Sequence, residues 1–265
     1  MADYFNQYHL KHFAGTVAQC MEIDLPKEYA PGISWLSKIL KTRLGGSAER
    51  AILFHAGGVG MNMWQKYTDI FAAVYSNTSI AFPFCSTENS ISPVAHASMY
   101  TGLMPSDHGV DSYSPQPLSC STLYDELIKI GKHPVIIAHK DSSFLHLFRG
   151  RDMKVYICNT GYETIDTAIK VIEEEDYDLL SIHMLDYDTA SHSCGPEAKD
   201  AKNALDFVAE DFDRIVSAAK YCESRKRTLI SYSPDHGQHQ IDTEKGGHGT
   251  ALPDDMNILH FFGTI

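Results

Sequence analysis

The sequence predicts an α/β fold of three layers, with a mostly parallel central sheet covered by helices on both faces. Short apolar runs of strand length alternate with longer stretches of helical periodicity along most of the chain, the pattern of parallel strands joined by crossover helices. The 265 residues, 43% of them hydrophobic, suffice to bury a substantial core. The residues able to bind a metal gather just after strand-like runs, where open parallel sheets hold their ligands. Residues 1–265 are expected to form one domain.

The first 48 residues are less regular and are expected to form an irregular, partly helical extension packed on the core; within them "GISWLSKILKTRL" (32–44) predicts a helix. Strands are predicted at "AILFHA" (51–56), "SIAFP" (79–83), "HPVIIA" (133–138), "MKVYIC" (153–158), "YDLLSIHML" (177–185), "RTLISYS" (227–233) and "NILHFFG" (257–263). "AHASMYTGL" predicts a helix after the second strand. "STLYDELIKIG" (121–131) places Leu123, Leu127 and Ile130 on one face and meets a glycine stop at Gly131. The stretches 164–175 and 201–224 have the same amphipathic character.

A formal charge of -12 argues against a nucleic-acid polymer as the main partner, because phosphate neutralisation needs a basic surface, and leaves room only for a local basic pocket. No run approaches the roughly 18 apolar residues of a membrane span, and the start lacks the charged-then-apolar pattern of a secretory signal. Six scattered cysteines without a C-x-x-C pair suit reduced thiols, so a cytoplasmic protein without a membrane partner is expected. Nothing indicates the oligomeric state.

Three polar clusters carry the functional reading. After the strand at 177–185, Asp188 and His192 lie four apart and would share a face of one helical turn. After the strand at 227–233 come Asp235, His236 and a flexible Gly237. His248 follows a glycine pair shortly before the last strand. Carboxylate plus imidazole donors suit zinc, and manganese or iron as well. The other histidines are read as structural: His139, His146 and His260 fall near carboxylates by chance, His239 with Asp242 and Glu244 forms a solvated loop face, and His183, inside a strand, is a hydrogen-bonded core or edge residue.

The segment "STENSISPVAHASMYTGLMPSDHGV" (86–110) supplies a hydroxyl at a helix start, a place suited to anions. Here the chain resembles the alkaline phosphatase superfamily, in particular its phosphodiesterase and nucleotide pyrophosphatase branch. That branch has a nucleophilic Thr or Ser nine residues before a TG[LV]xPxxHG run; "TGLMPSDHG" begins at Thr101, which puts the nucleophile at Ser92. "DTASHSCGP" is similar to its D-x-x-x-H-x-x-G-P, "SPDHG" to its S-D-H-G, and "GGHGT…MNILHFFG" to its closing H-G…M…F…G, in unbroken order over roughly residues 50–263. The resemblance implies an alkaline-phosphatase-like three-layer sandwich and a hydrolase of phosphate or phosphonate esters acting through a phosphoserine. It implies two divalent ions, one held by Asp188, His192 and His248 and the other by Asp235, His236 and Ser92, and a small phosphorylated substrate.

One position departs from that pattern. Where the branch ends its first core strand in a metal-binding aspartate, "FHAGGVG" has Gly57, and the missing donor is open between His55, Glu88 and water. The departure supports a contrasting reading, a degenerate member that binds a phosphorylated ligand without turnover. Two other readings fit worse: "AGGVGMNMW" lacks the third glycine of a dinucleotide fingerprint, and "SPVAH" lacks the arginine of a sulfatase motif.

Overall fold

The computed structural model describes residues 5–113, 116–222 and 226–265. Its centre is an eight-stranded sheet built from β1 (Tyr8–His9), β2 (Arg50–Ala56), β3 (Ile80–Cys85), β4 (Pro134–His139), β5 (Lys154–Cys158), β6 (Leu179–Met184), β7 (Thr228–Tyr232) and β10 (Asn257–Thr264), in the order β1-β3-β10-β7-β2-β6-β4-β5. A separate small hairpin pairs β8 (His239–Gln240) with β9 (Gly246–Gly247). Every sheet pairing is parallel except those of β10, which runs antiparallel between β3 and β7. All seven predicted strands form, each within three residues of its expected ends. The two-residue β1 and the hairpin are additional; neither has enough alternating residues to be seen as a strand in sequence.

Both sheet faces are buried, which is why the strands read as continuous apolar runs. In β2, Ala51 and Leu53 face one core while Ile52, Phe54 and Ala56 face the other, as the period of two requires. The first core is roofed by helices His12–Met21, Ser34–Leu44, Ser92–Thr101 and Leu123–Lys129, through residues such as Phe13, Leu36, Val94 and Leu127. The second is roofed by Gly161–Glu174 and Lys199–Cys222, through Ile165, Ile172, Leu205 and Phe212. The N-terminal segment is thus more regular than its sequence suggests.

Helix Leu123–Lys129 starts at a capping box in which Thr122 and Asp125 exchange hydrogen bonds. Ile130 does not share the buried face of Leu123 and Leu127: it lies past the last turn and is 57% exposed. The predicted helix 201–224 is Lys199–Cys222, and residues 223–224 fall outside the described residues. No disulfide joins the six cysteines. Among the described residues no helix is long and apolar enough to cross a membrane.

Candidate metal and nucleophile site

β7, β2 and β6 are neighbours at the middle of the sheet, so the segments leaving their carboxyl ends converge. The segment after β2 brings Gly57 and Gly58, the helix Asp186–Cys194 after β6 brings Asp188 and His192, and the loop after β7 brings Asp235 and His236. Because β10 is antiparallel, the chain entering it arrives at the same edge and carries His248. Helix Ser92–Thr101, which follows β3, points its N-terminus there as well.

Asp188, His192 and His248 meet at the solvent-facing side. Their nitrogen and oxygen atoms lie 3.8 Å (His192 Nε2 to Asp188 Oδ2), 3.7 Å (His248 Nε2 to Asp188 Oδ1) and 3.1 Å (His248 Nε2 to His192 Nε2) apart. These spacings fit the edges of a coordination tetrahedron, about 3.4 Å for bonds of about 2.1 Å. The partners behind the ligand atoms are in place: His248 Nδ1 donates to the Ser90 carbonyl at 2.7 Å, which leaves a lone pair on Nε2, the atom that faces His192 Nε2, and Asp188 Oδ1 accepts from Gln238 Nε2 at 2.7 Å. Burial pushes the His248 imidazole down to about 3, so it stays neutral, the form that binds a metal. Burial likewise raises the Asp188 carboxyl. The residues fit a divalent metal ion.

Ser92 opens its helix with Pro93 in the first turn, where a missing N–H costs nothing. Its hydroxyl lies 3.0 Å from His236 Nε2, and His236 Nδ1 donates to the Gly237 carbonyl at 3.0 Å. That second bond fixes the tautomer, so the Nε2 lone pair faces the serine and can accept its proton or bind a cation. The His236 ring stacks on His248 at 3.9 Å, which joins the serine to the solvent-facing cluster.

Asp235 is fully buried, and its Oδ1 accepts from the backbone N–H of Gly58 at 3.2 Å and of His236 at 3.0 Å. Its Oδ2 faces inward, 3.4 Å from His236 Nε2 and 3.5 Å from His96 Nε2. His96 and His183 complete a buried group with Asp235 in which one donor atom from each lies within 4.8 Å of the others. Sequence reasoning gave His183 only a structural role and passed over His96. His183 does make the expected core hydrogen bond, Nδ1 to Ser142 Oγ at 2.6 Å, but that bond leaves Nε2 free beside Asp235. The signals were the spacing of four between Ser92 and His96, which puts both on the sheet-facing side of one helix, and the alternation that turns His183 toward the same core as Leu179.

The gap left by Gly57 is not filled by His55 or Glu88. His55 spends one nitrogen on Tyr100 Oη at 2.7 Å and the other on the Ser233 carbonyl at 3.1 Å, and Glu88 is exposed. A Cβ at position 57 would instead sit 3.6 Å from His183 Nε2 and 3.5 Å from Asp188 Cβ. Of the remaining histidines, His239 pairs with the buried Asp255 at 2.7 Å, His139 with the Asn159 carbonyl and His260 with the Pro234 carbonyl. Asp242 closes its turn by accepting from the N–H groups of Glu244 and Lys245, both at 2.8 Å.

No family model matches the chain, and no curated protein is similar to it in sequence. Solved structures are similar in fold. Murine ectonucleotide pyrophosphatase / phosphodiesterase 5 superposes with a TM-score of 0.60 at 11% identity, over 73% of this chain and 58% of that one. At this identity the likeness is one of fold: an α/β arrangement around a mostly parallel central sheet. The C-terminal periplasmic domain of phosphoethanolamine transferase EptC from Campylobacter jejuni gives a TM-score of 0.61 at 12% identity, over 82% of this chain and 80% of that one. Phosphonoacetate hydrolase from Sinorhizobium meliloti 1021 gives 0.55 at 13%, over 75% and 59%. The chain therefore spans a little under three-fifths of the pyrophosphatase and of the phosphonoacetate hydrolase.

Proposed function

We propose that this protein is a metal-dependent phosphohydrolase that cleaves phosphate or phosphonate esters through a phosphoserine at Ser92. The observation that carries the reading is the placement of the Ser92 hydroxyl at a helix N-terminus, 3.0 Å from His236 Nε2, the ring that lies 3.4 Å from Asp235 and stacks on His248 of the Asp188–His192–His248 cluster. A hydroxyl beside metal-type donors is arranged for in-line displacement at phosphorus. The similar structures include a pyrophosphatase / phosphodiesterase, whose inactive variant was solved with AMP, and a phosphonoacetate hydrolase. This supports a small phosphorylated substrate.

Ser92 Oγ attacks phosphorus from the side opposite the leaving oxygen. As the new O–P bond forms, the ester P–O bond breaks and the Ser92 proton passes to His236 Nε2, with Nδ1–H held on the Gly237 carbonyl. Water then attacks phosphorus, the Ser92 Oγ–P bond breaks, and the proton held on His236 Nε2 returns to Oγ as the phosphoryl group leaves on the water oxygen, so one difficult step becomes two. Divalent ions at these donors would act as Lewis acids on the phosphoryl oxygens and stabilise charge on the leaving oxygen. The positive end of helix Ser92–Thr101 favours the same anion.

Ser92→Ala tests the reading on bis(p-nitrophenyl) phosphate and p-nitrophenyl phosphate after zinc or manganese loading. Loss of about 10³-fold or more in kcat, with a phosphoryl adduct on intact wild-type protein that the variant lacks, is expected. An unchanged rate refutes the nucleophile. The second reading, a phosphate-ligand binder without turnover, draws its support from Gly57; it predicts AMP or phosphate binding by a wild-type protein that hydrolyses neither ester.

A further inference from the structure

We infer that His96, His183 and Asp235 form a buried three-donor site for a second divalent cation, in which the imidazole of His183 takes the place of a carboxylate at position 57. The inference deepens the functional reading above and rests on it for its purpose, but the geometry stands without turnover.

Four observations converge. His96 Nε2, His183 Nε2 and Asp235 Oδ2 are each buried without any protein hydrogen-bond partner, and the three residues are at most 1% exposed. Unpaired buried polar atoms are rare, and three on residues that bring one ligand atom each within 4.8 Å of the others call for a shared partner that accepts lone pairs. Each donor is also oriented from behind. Ser143 Oγ holds His96 Nδ1 at 3.0 Å, Ser142 Oγ holds His183 Nδ1 at 2.6 Å, and two backbone N–H groups hold Asp235 Oδ1. Two adjacent serines after β4 thus serve two imidazoles from different elements, the outer partnering that metal-binding histidines have. The His96 Nε2 to Asp235 Oδ2 separation of 3.5 Å is the span of two ligands on one small ion, not a hydrogen bond. Finally, a Cβ at position 57 would sit 3.1 Å from the Met184 carbonyl oxygen, 3.5 Å from Asp188 Cβ and 3.6 Å from His183 Nε2, so a side chain there would reach into the space that the His183 imidazole borders.

The donor set defines the cation. Two neutral imidazoles and one carboxylate suit zinc, cobalt or iron rather than magnesium or calcium, which require oxygen donors. His236 Nε2 and Ser92 stand at the outer side of the group, so the serine hydroxyl remains free to meet a substrate there.

The test counts ions on the full chain, without substrate. Chelator-stripped wild-type protein is titrated with Co²⁺, followed by visible absorption and calorimetry, and with Zn²⁺, followed by elemental analysis. Two equivalents are expected for wild type, one for His183→Gln and His96→Gln with the second affinity down about 100-fold, and one for Asp188→Asn, with millimolar Mg²⁺ displacing neither ion. Gly57→Asp in the His183→Gln background should restore the second equivalent. Should the glutamine variants fail to fold, ¹H–¹⁵N imidazole spectra of wild type decide, because Zn²⁺ must shift the Nε2 resonances of His96 and His183. One equivalent in wild type, two in the glutamine variants, or unmoved Nε2 resonances overturns the site. Two equivalents without hydrolysis of any ester keeps the site and refutes the phosphohydrolase reading; hydrolysis with one equivalent does the reverse.

Discussion

Acidification from about pH 7.5 to about pH 5.5 should sharply destabilise the metal-free protein, because its core contains histidines that cannot take up protons. His55, His96 and His260 are fully buried, and burial pushes each of their imidazoles from an ordinary 6.5 down to about 3. Above pH 6.5 both folded and unfolded chains hold these rings neutral, and they contribute no pH dependence. Between 6.5 and about 3 the unfolded chain binds protons that the folded chain refuses, so stability falls as pH falls. One unit below the ordinary value, each ring costs about 1.4 kcal/mol, or about 4 kcal/mol for the three. That is a large share of a typical stability of about 5–15 kcal/mol. His183 shifts in the same direction and adds to the loss. Urea unfolding by circular dichroism in EDTA measures it, and His260→Gln should remove about 1.4 kcal/mol of the loss. A stability unchanged within about 1 kcal/mol between the two pH values would refute the reasoning.

Gly58→Ala should cost about 1–3 kcal/mol in urea unfolding and weaken zinc binding at the solvent-facing cluster, since Gly58 has φ +77° and a Cβ there would come within 2.7 Å of Asp188 Oδ1. Wild-type stability and affinity in that variant would count against the described packing. Arg151→Met should cost about 2–3 kcal/mol, because it severs the 2.8 Å ion pair to Asp125 and leaves the carbonyls of Leu118, Cys120 and Leu147 without their guanidinium donor. A loss below about 0.5 kcal/mol would show that pair to be a surface contact.

The strands and the solvent-facing donors were legible because both lie in local patterns. β2, β4, β6 and β7 are apolar runs bounded by polar turns, and Asp188 with His192 is a spacing of four inside one helix. Of the buried group, Asp235 was legible beside His236 and Gly237, whereas His96 and His183 were not, since they come from elements far apart in sequence and meet only in the folded sheet. A lone histidine in an apolar strand reads as core, and half of that reading is correct: His183 Nδ1 is a core hydrogen-bonding group, and only the topology shows where Nε2 points. β1 escaped for a different reason, since a two-residue strand defined by backbone pairing to Phe84 and Cys85 has no side-chain period.

The antiparallel β10 has a consequence for how the protein assembles. It pairs Asn257 with Cys85 on one side and Phe261 with Tyr232 on the other, so the strand latest in sequence sits inside the sheet and bridges β3 to β7. A chain emerging from the ribosome holds β1–β3 and β7–β2–β6–β4–β5 as two unjoined ribbons, with open backbone groups on both, until residues 257–264 arrive. Such long-range pairing slows folding and leaves sheet edges open to aggregation meanwhile. Ser92 belongs to the first ribbon's side and Asp235 to the second's, so nucleophile and buried carboxylate are brought into register by the closing strand.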